Sequence, residues 1–305
     1  MRLQIITTFE AEHVAAYESA IITARKNGIV PDTISIWKQP NVIYVPKFTS
    51  IKYFDKAYSD SFGFPIVRSP FFPASPTSAV VVGNTWGLLC AINKEYPSNR
   101  LSFEDKFTMD NFKSFLKKRG IIAQRFSNDL ILPDKESKIA GIVSFGDEDC
   151  YYSNSFLNAK KHDGFDYDLF YKLPESKMAG KKVKSINERI ATIYGETGIV
   201  PSDDDFVGHV EEYLTSIGIS FNVKFGLSEQ EQKIFDETKD FYRTEKYLKH
   251  GNIESIADPM EAFQMYASTK DLDDDEDKIL ISKFKNKLPT AENELKKGIV
   301  KRNKI

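Results

Sequence analysis

The sequence predicts an α+β fold with a mixed, largely antiparallel sheet flanked by helices. Three observations carry that prediction. Short β-branched and aromatic runs dominate the first half of the chain, several of them are joined by hairpin-length links, and helices interrupt them singly. A doubly wound parallel sheet would instead alternate strand and helix strictly. Residues 3–8 alternate like a strand, and residues 11–27 have helical periodicity that stops before Gly28, a C-terminal cap. Strands are expected at 34–37, 41–45, 66–68, 79–92, 121–126, 130–132, 138–145 and 151–157. The runs at 80–89 and 138–145 are the longest β-branched and apolar ones, which places them at the centre of the sheet. Helices are expected near 51–61 and 103–119, the second stopped by Gly120.

Further on, residues 206–217 read as a helix, 219–225 as a strand and 228–250 as a long polar helix. Ser228 and Glu231 form a capping box: the hydroxyl accepts from the N–H three residues on, and the carboxylate reaches back. Beyond Gly251 come a short helical pattern at 259–268, an acidic run at 273–277 and a lysine-rich end at 282–304, the composition of a solvated tail. The expected division is an α+β domain over residues 1–225 and a short C-terminal helical extension with a charged tail over 226–305.

With 305 residues and 41% hydrophobic content, the chain can bury one substantial core and a smaller appendage. A net charge of −2 supplies no general drive towards nucleic acid or anionic membrane, so neither is expected as a partner. The 23 Phe and 14 Tyr are read as core. Cys90 and Cys150 lack metal-ligand spacing and read as free thiols in a reducing compartment. No apolar run has membrane length and the N-terminus has no basic-then-apolar pattern, so a cytoplasmic location is expected. His13, His162, His209 and His250 lie far apart, and no Walker loop, dinucleotide fingerprint or nucleophile elbow occurs. The acidic clusters at 147–149 and 203–205 read as solvated turns.

The stretch 127–142, SNDLILPDKESKIAGI, joins an Asn-Asp pair, a strand, a charged turn and a lysine opening a second strand. It resembles the core of the lipoate-protein ligase A family, part of the biotin and lipoate protein ligase superfamily. Weaker matches follow in the family's order: AAYESAIITA at 15–24, ISIWKQPNVIYVPKFTS at 34–50, IVRS at 66–69, VVVGNTWGLL at 80–89, KKVKSINERIATI at 181–193, and a late helix with Tyr247 or Leu248 where tryptophan is usual. The resemblance implies a biotin/lipoate ligase-like catalytic domain that uses ATP, Mg²⁺ and lipoate or a related short acid, with a lipoyl-carrier domain as acceptor. By the same resemblance Lys138 is the catalytic residue. Asn128 and Asp129 position nucleotide and metal, Asp129 being the metal ligand, and Gly141 closes the lysine motif. Arg68 and Lys47 contact phosphate or carboxylate, and Asn84 shapes the pocket floor. A lysine suits this chemistry because a carboxylate must attack a polyanionic phosphate, and a fixed cation offsets the charge gathering in the transition state.

The family's glycine-rich loop, R-R-x-S-G-G-G-A-V-x-H-D, is replaced here by RSPFFPASPTSA at 68–79. Glycines let successive N–H groups turn towards an anion, whereas Pro70, Pro73 and Pro76 remove donors and fix φ. Two readings therefore stand side by side. One is an ATP-dependent ligase with an altered lid. The other is a non-catalytic descendant of the fold, serving as a binding or structural module with another protein partner.

Overall fold

The computed structural model describes residues 1–6, 10–47, 51–72, 84–97, 99–172, 184–244 and 247–248. Its strands are β1 (Arg2–Ile6), β2 (Thr33–Gln39), β3 (Ile43–Val45), β4 (Ile66–Arg68), β5 (Thr85–Asn93), β6 (Gln124–Phe126), β7 (Asp129–Leu132), β8 (Ser137–Gly146), β9 (Cys150–Asn158) and β10 (Asn222–Phe225). Eight of them form one sheet in the order β10-β1-β2-β5-β9-β8-β7-β6, and β3 pairs with β4 in a small second sheet. The pairs β1–β10, β1–β2 and β3–β4 are parallel, and all the others are antiparallel. The mixed, mostly antiparallel sheet is therefore as expected, with β5 inside it and β8 between β9 and β7.

The helices are α1 (Val14–Lys26), α2 (Lys56–Ser61), α3 (Arg100–Glu104), α4 (Asp110–Lys117), α5 (Tyr167–Phe170), α6 (Ile186–Arg189), α7 (Ile193–Thr197), α8 (Asp203–Ser216) and α9 (Glu229–Thr238). Strand alternation divides the core between the two faces of the large sheet. Ile34, Ile36, Trp86 and Leu88 point to one face and meet Phe103, Phe107, Phe112 and Phe115 of the α3–α4 region and Phe206 of α8. Trp37, Leu89, Ala91 and Tyr152 point to the other and meet Ile21 and Ile22 of α1. A third cluster, including Ile43, Phe54, Phe64, Phe165 and Phe170, packs under the small sheet.

Several boundaries differ from expectation for local reasons. The helix expected at 103–119 spans α3, a π-turn at Asp105–Met109 and α4; it starts at the Asn99 cap and ends before Gly120, whose φ is +76°. The helix expected at 51–61 is a 3₁₀ turn at Ile51–Tyr53 followed by α2, because Asp55 caps a fresh start by accepting from the Tyr58 N–H. The acidic cluster at 203–205 is not a solvated turn. It is the first turn of α8, where a Ser202–Asp205 capping box and the helix dipole favour carboxylates. Helix α9 starts at the expected capping box but ends at Thr238, and Phe241, Tyr242 and Tyr247 then gather their rings together. It lies on α1 through Phe235 against Ala16 and Ala20. The expected strand start at 79–83 and the charged tail lie outside the described residues. Cys90 and Cys150 are buried and free, and among the described residues no helix is long and apolar enough to cross a membrane.

Candidate functional site

The β7–β8 hairpin brings three of the sequence-selected residues together. Lys138 and Gly141 are three positions apart, so strict alternation would send their side chains to opposite faces. A register shift resolves this: Leu130 faces Ala140 and Ile131 faces Lys138, leaving Ile139 as the extra residue of a β-bulge. The Lys138 ammonium then reaches back over Gly141 to Asp129, which pairs with Gly141 across the hairpin, and its Nζ lies 2.7 Å from Asp129 Oδ1. A Cβ at Gly141 would stand 2.4 Å from that Nζ, so the absence of a side chain there is what makes room for the ammonium. Both charged groups keep solvent contact, at 30% and 24% side-chain exposure, so the pair stays accessible to a ligand. The backbone around them is tied down: the Ala191 N–H donates to the Lys138 carbonyl at 2.8 Å, and the Ile142 N–H to the Asn128 carbonyl at 2.9 Å.

Strand register carries the site inward. Gly141 pairs with Phe156, Phe156 with Gly87 and Gly87 with Trp37. The Trp37 indole lies over Gly87, where a Cβ would fall 2.0 Å from its Nε1. Phe156 meets Tyr44 edge-on at 5.5 Å. Beneath these rings Glu18 of α1 is fully buried and accepts hydrogen bonds from the Tyr44 and Ser69 hydroxyls. Burial raises the Glu18 carboxyl to about 7, with the Ser69 and Tyr44 hydrogen bonds opposing part of that shift. Glu18 was missed as a site candidate; the available signal was an acid in the middle of the alanine-rich run of α1.

Asn128 precedes Asp129 in the same hairpin, while Arg68, Lys47 and Asn84 stand elsewhere. Arg68 is buried, and its guanidinium donates to the carbonyls of Leu248 at 3.0 and 2.8 Å, Pro46 at 3.1 Å and Lys47 at 3.0 Å. Burial lowers its pKa to about 10. It therefore clamps β4 to the chain after β3 and to the C-terminal segment. The Lys47 N–H donates to the Phe72 carbonyl, and the Asn84 carbonyl accepts from Ala159 and Lys160. Of the proline-bearing loop, Pro70 to Phe72 are described. Phe72 is fully buried among Trp37, Leu89 and Tyr152, and Phe71 stacks on Phe145.

Mg²⁺ is commonly held through one or two carboxylates plus substrate phosphates and water, and Asp129, whose Oδ1 pairs with Lys138, would offer one such carboxylate. Among the described residues, Glu10, Glu12 and His13, at the 3₁₀ turn just before α1, bring ligand atoms within 4.8 Å of one another.

Solved structures match this arrangement of sheet and helices. A bipartite lipoate protein ligase of Thermoplasma acidophilum, described with its E2 lipoyl domain, superposes with a TM-score of 0.64 at 17% identity, over 82% of this chain and 96% of that one. The chain has the lipoate-protein ligase fold. Lipoate-protein ligase A bound with ATP gives a TM-score of 0.64 at 15% identity over 82% and 98% of the two chains. LipL1 of P. falciparum in complex with lipoate gives 0.60 at 10% identity over 82% and 74%. No family profile matches the sequence, and no curated protein does. At these identities the likeness is one of fold.

Proposed function

We propose that the chain is an ATP-dependent acyl ligase of the lipoate-protein ligase type, which activates a short carboxylic acid as its acyl-adenylate and passes the acyl group to a lysine of a carrier domain. The observation that carries this reading is the Lys138–Asp129–Gly141 constellation: a half-accessible ammonium, held by one carboxylate, lying in a space kept open by a glycine. A bulge is retained in the strand to place it there. In the first step a carboxylate oxygen of the acid attacks the α-phosphorus of ATP, the new O–P bond forms and the bond to pyrophosphate breaks. Lys138 offsets charge on the α-phosphoryl oxygens, and Asp129 keeps the ammonium in place until substrate arrives. In the second step the acceptor amine attacks the acyl carbon and AMP leaves. Mg²⁺ at Asp129, when bound, would supply further charge neutralisation at the phosphates. Arg68 has no direct part in this scheme, because its donors serve backbone carbonyls. A reducing, cytoplasmic setting suits the two free thiols.

A second reading has its own support. The proline-bearing loop removes donors from the adenylate's usual cradle, and its Phe72 is buried against α1 and the sheet, as a non-catalytic binding module with a protein partner would allow. ATP–pyrophosphate exchange with lipoate or octanoate separates the two. On the ligase reading the wild type exchanges label in an acid-dependent way, and Lys138→Ala lowers the rate by about 10²-fold or more with little change in melting temperature. A wild type silent with every short acid would refute the ligase and leave the module.

A further inference from the structure

A cleft of about 400 Å³, within the size range of small-molecule sites, opens between the turn before β8, the chain after β9 and the α6–α7 segment. Asp129, Lys138 and Gly141 do not line it, so it is separate from the hairpin constellation. Among the described residues, three ammoniums and three carboxylates border it. Two of the ammoniums are already matched. Lys135 Nζ meets both oxygens of Glu196 at 2.7 and 2.9 Å, and Lys160 Nζ meets Asp163 at 2.7 Å. The third carboxylate, Glu188, is exposed to water and accepts from the Lys184 N–H. Lys161 differs from all of these. It is half-buried, and among the described residues its ammonium makes a single hydrogen bond, to the Asn187 carbonyl at 2.5 Å. That carbonyl is well anchored, because the Asn187 side chain donates to Asp166 and Asp168 and accepts from the Tyr167 N–H. Burial pushes the Lys161 pKa below its ordinary value, with the charge of Asp168 opposing.

A cation drawn partly out of water without a counter-ion costs stability, and an anion brought to it recovers that cost. An ammonium also has three donors, of which Lys161 uses one. We infer that the cleft binds a small monocarboxylic acid, with its carboxylate on the Lys161 ammonium and its hydrocarbon part against Ile190, Ala191 and the Tyr194 ring. The charges select this class of ligand. One desolvated ammonium lacks a carboxylate, so a single negative charge balances the cleft. A phosphate dianion would bring a second charge up against Asp163, Glu188 and Glu196. A neutral ligand would leave Lys161 uncompensated. The volume admits a chain of several carbons behind the carboxylate, and the three apolar side chains give that chain a surface to cover. The inference goes beyond the ligase reading and does not draw on it, since the two sites share no residue.

The test follows two NMR signals of the full chain, Lys161 Cε and the Ile190 methyl, during titration with hexanoate, with the neutral hexanamide and with inorganic phosphate. Hexanoate is expected to move both signals saturably and to raise the Lys161 pKa by about one unit, which corresponds to about tenfold tighter binding to the protonated lysine than to the neutral one. Hexanamide and phosphate are expected to bind about tenfold or more weakly at the same two signals. Lys161→Met keeps an unbranched side chain and removes the charge. It should weaken hexanoate about tenfold or more at the Ile190 methyl, and it should not melt below wild type because the cation it removes is uncompensated. The wild-type titrations decide the matter even if that variant fails to fold. A Lys161 signal that hexanoate leaves unmoved, phosphate or hexanamide binding as tightly as hexanoate, or undiminished hexanoate binding in Lys161→Met would each overturn the inference. Pyrophosphate exchange by the wild type tests the ligase reading separately, so either can fail without the other.

Discussion

Gly141→Ala tests whether the position of the Lys138 ammonium, rather than its mere presence, matters. The new Cβ would lie 2.4 Å from Nζ, 2.6 Å from Cε and 3.4 Å from Asp129 Oδ1. Ordinary carbon contacts lie near 3.5–4.0 Å, so the ammonium must withdraw by roughly 1 Å or more, while Asp129 is barely touched. The displaced atoms are the far end of a flexible side chain with solvent contact, so the fold loses little. Gly141 is not among the glycines with positive φ, so alanine meets no backbone strain there and should recover roughly 0.4–1 kcal/mol by restricting the unfolded chain. The melting temperature should therefore stay level or rise slightly. A displacement of about 1 Å at a group that stabilises a transition state can cost about 10²-fold in rate. The assay is acid-dependent ATP–pyrophosphate exchange alongside a thermal melt. Exchange at the wild-type rate would refute the assignment of Lys138, and a melt lowered by several degrees would refute the packing argument.

Two further outcomes test the scaffold. Arg2 and Glu231 form a buried bidentate pair at 2.8 and 2.5 Å, joined by Gln4 at 3.2 Å, which ties β1 to α9. Glu231→Ala leaves the guanidinium without its carboxylate and should cost about 3–5 kcal/mol in urea unfolding; a loss under about 1 kcal/mol would contradict the burial of the pair. Glu18 is protonated more readily in the fold than in the unfolded chain, its carboxyl being raised from 4.5 to about 7 by burial. Its contribution is fully present below about 4.5 and is lost as pH rises to about 7, because there the unfolded chain ionises while the folded one resists; the whole span is worth roughly 3 kcal/mol. Glu18→Gln should flatten the decline in stability between those two pH values, and an unchanged slope would show that Glu18 is not its source.

The local chemistry of the chain was legible wherever a few neighbouring residues decide the outcome. The Ser228–Glu231 box, the stops at Gly28 and Gly120, the period-two runs of β8 and β9 and the charged turn between β7 and β8 each depend on contacts within a handful of positions. The same locality made the hairpin site readable, since Asp129, Lys138 and Gly141 lie within one supersecondary unit and their types follow from the charge they would meet. Even there, the bulge at Ile139 that turns Lys138 and Gly141 to one face was not written in the pattern, because it depends on pairing with β7.

What only the tertiary structure decided involves partners far apart in sequence. Arg68 reads as an anion contact by type and position, yet its donors are taken by carbonyls 22, 21 and 180 residues away. Glu18 becomes a near-neutral buried acid because β3 and the turn after β4 close over α1 and exclude water. Side-chain type sets what a group can do. Burial and long-range pairing, which depend on how the sheet and α1 come together, set which of those capacities are spent on the fold and which remain for a ligand.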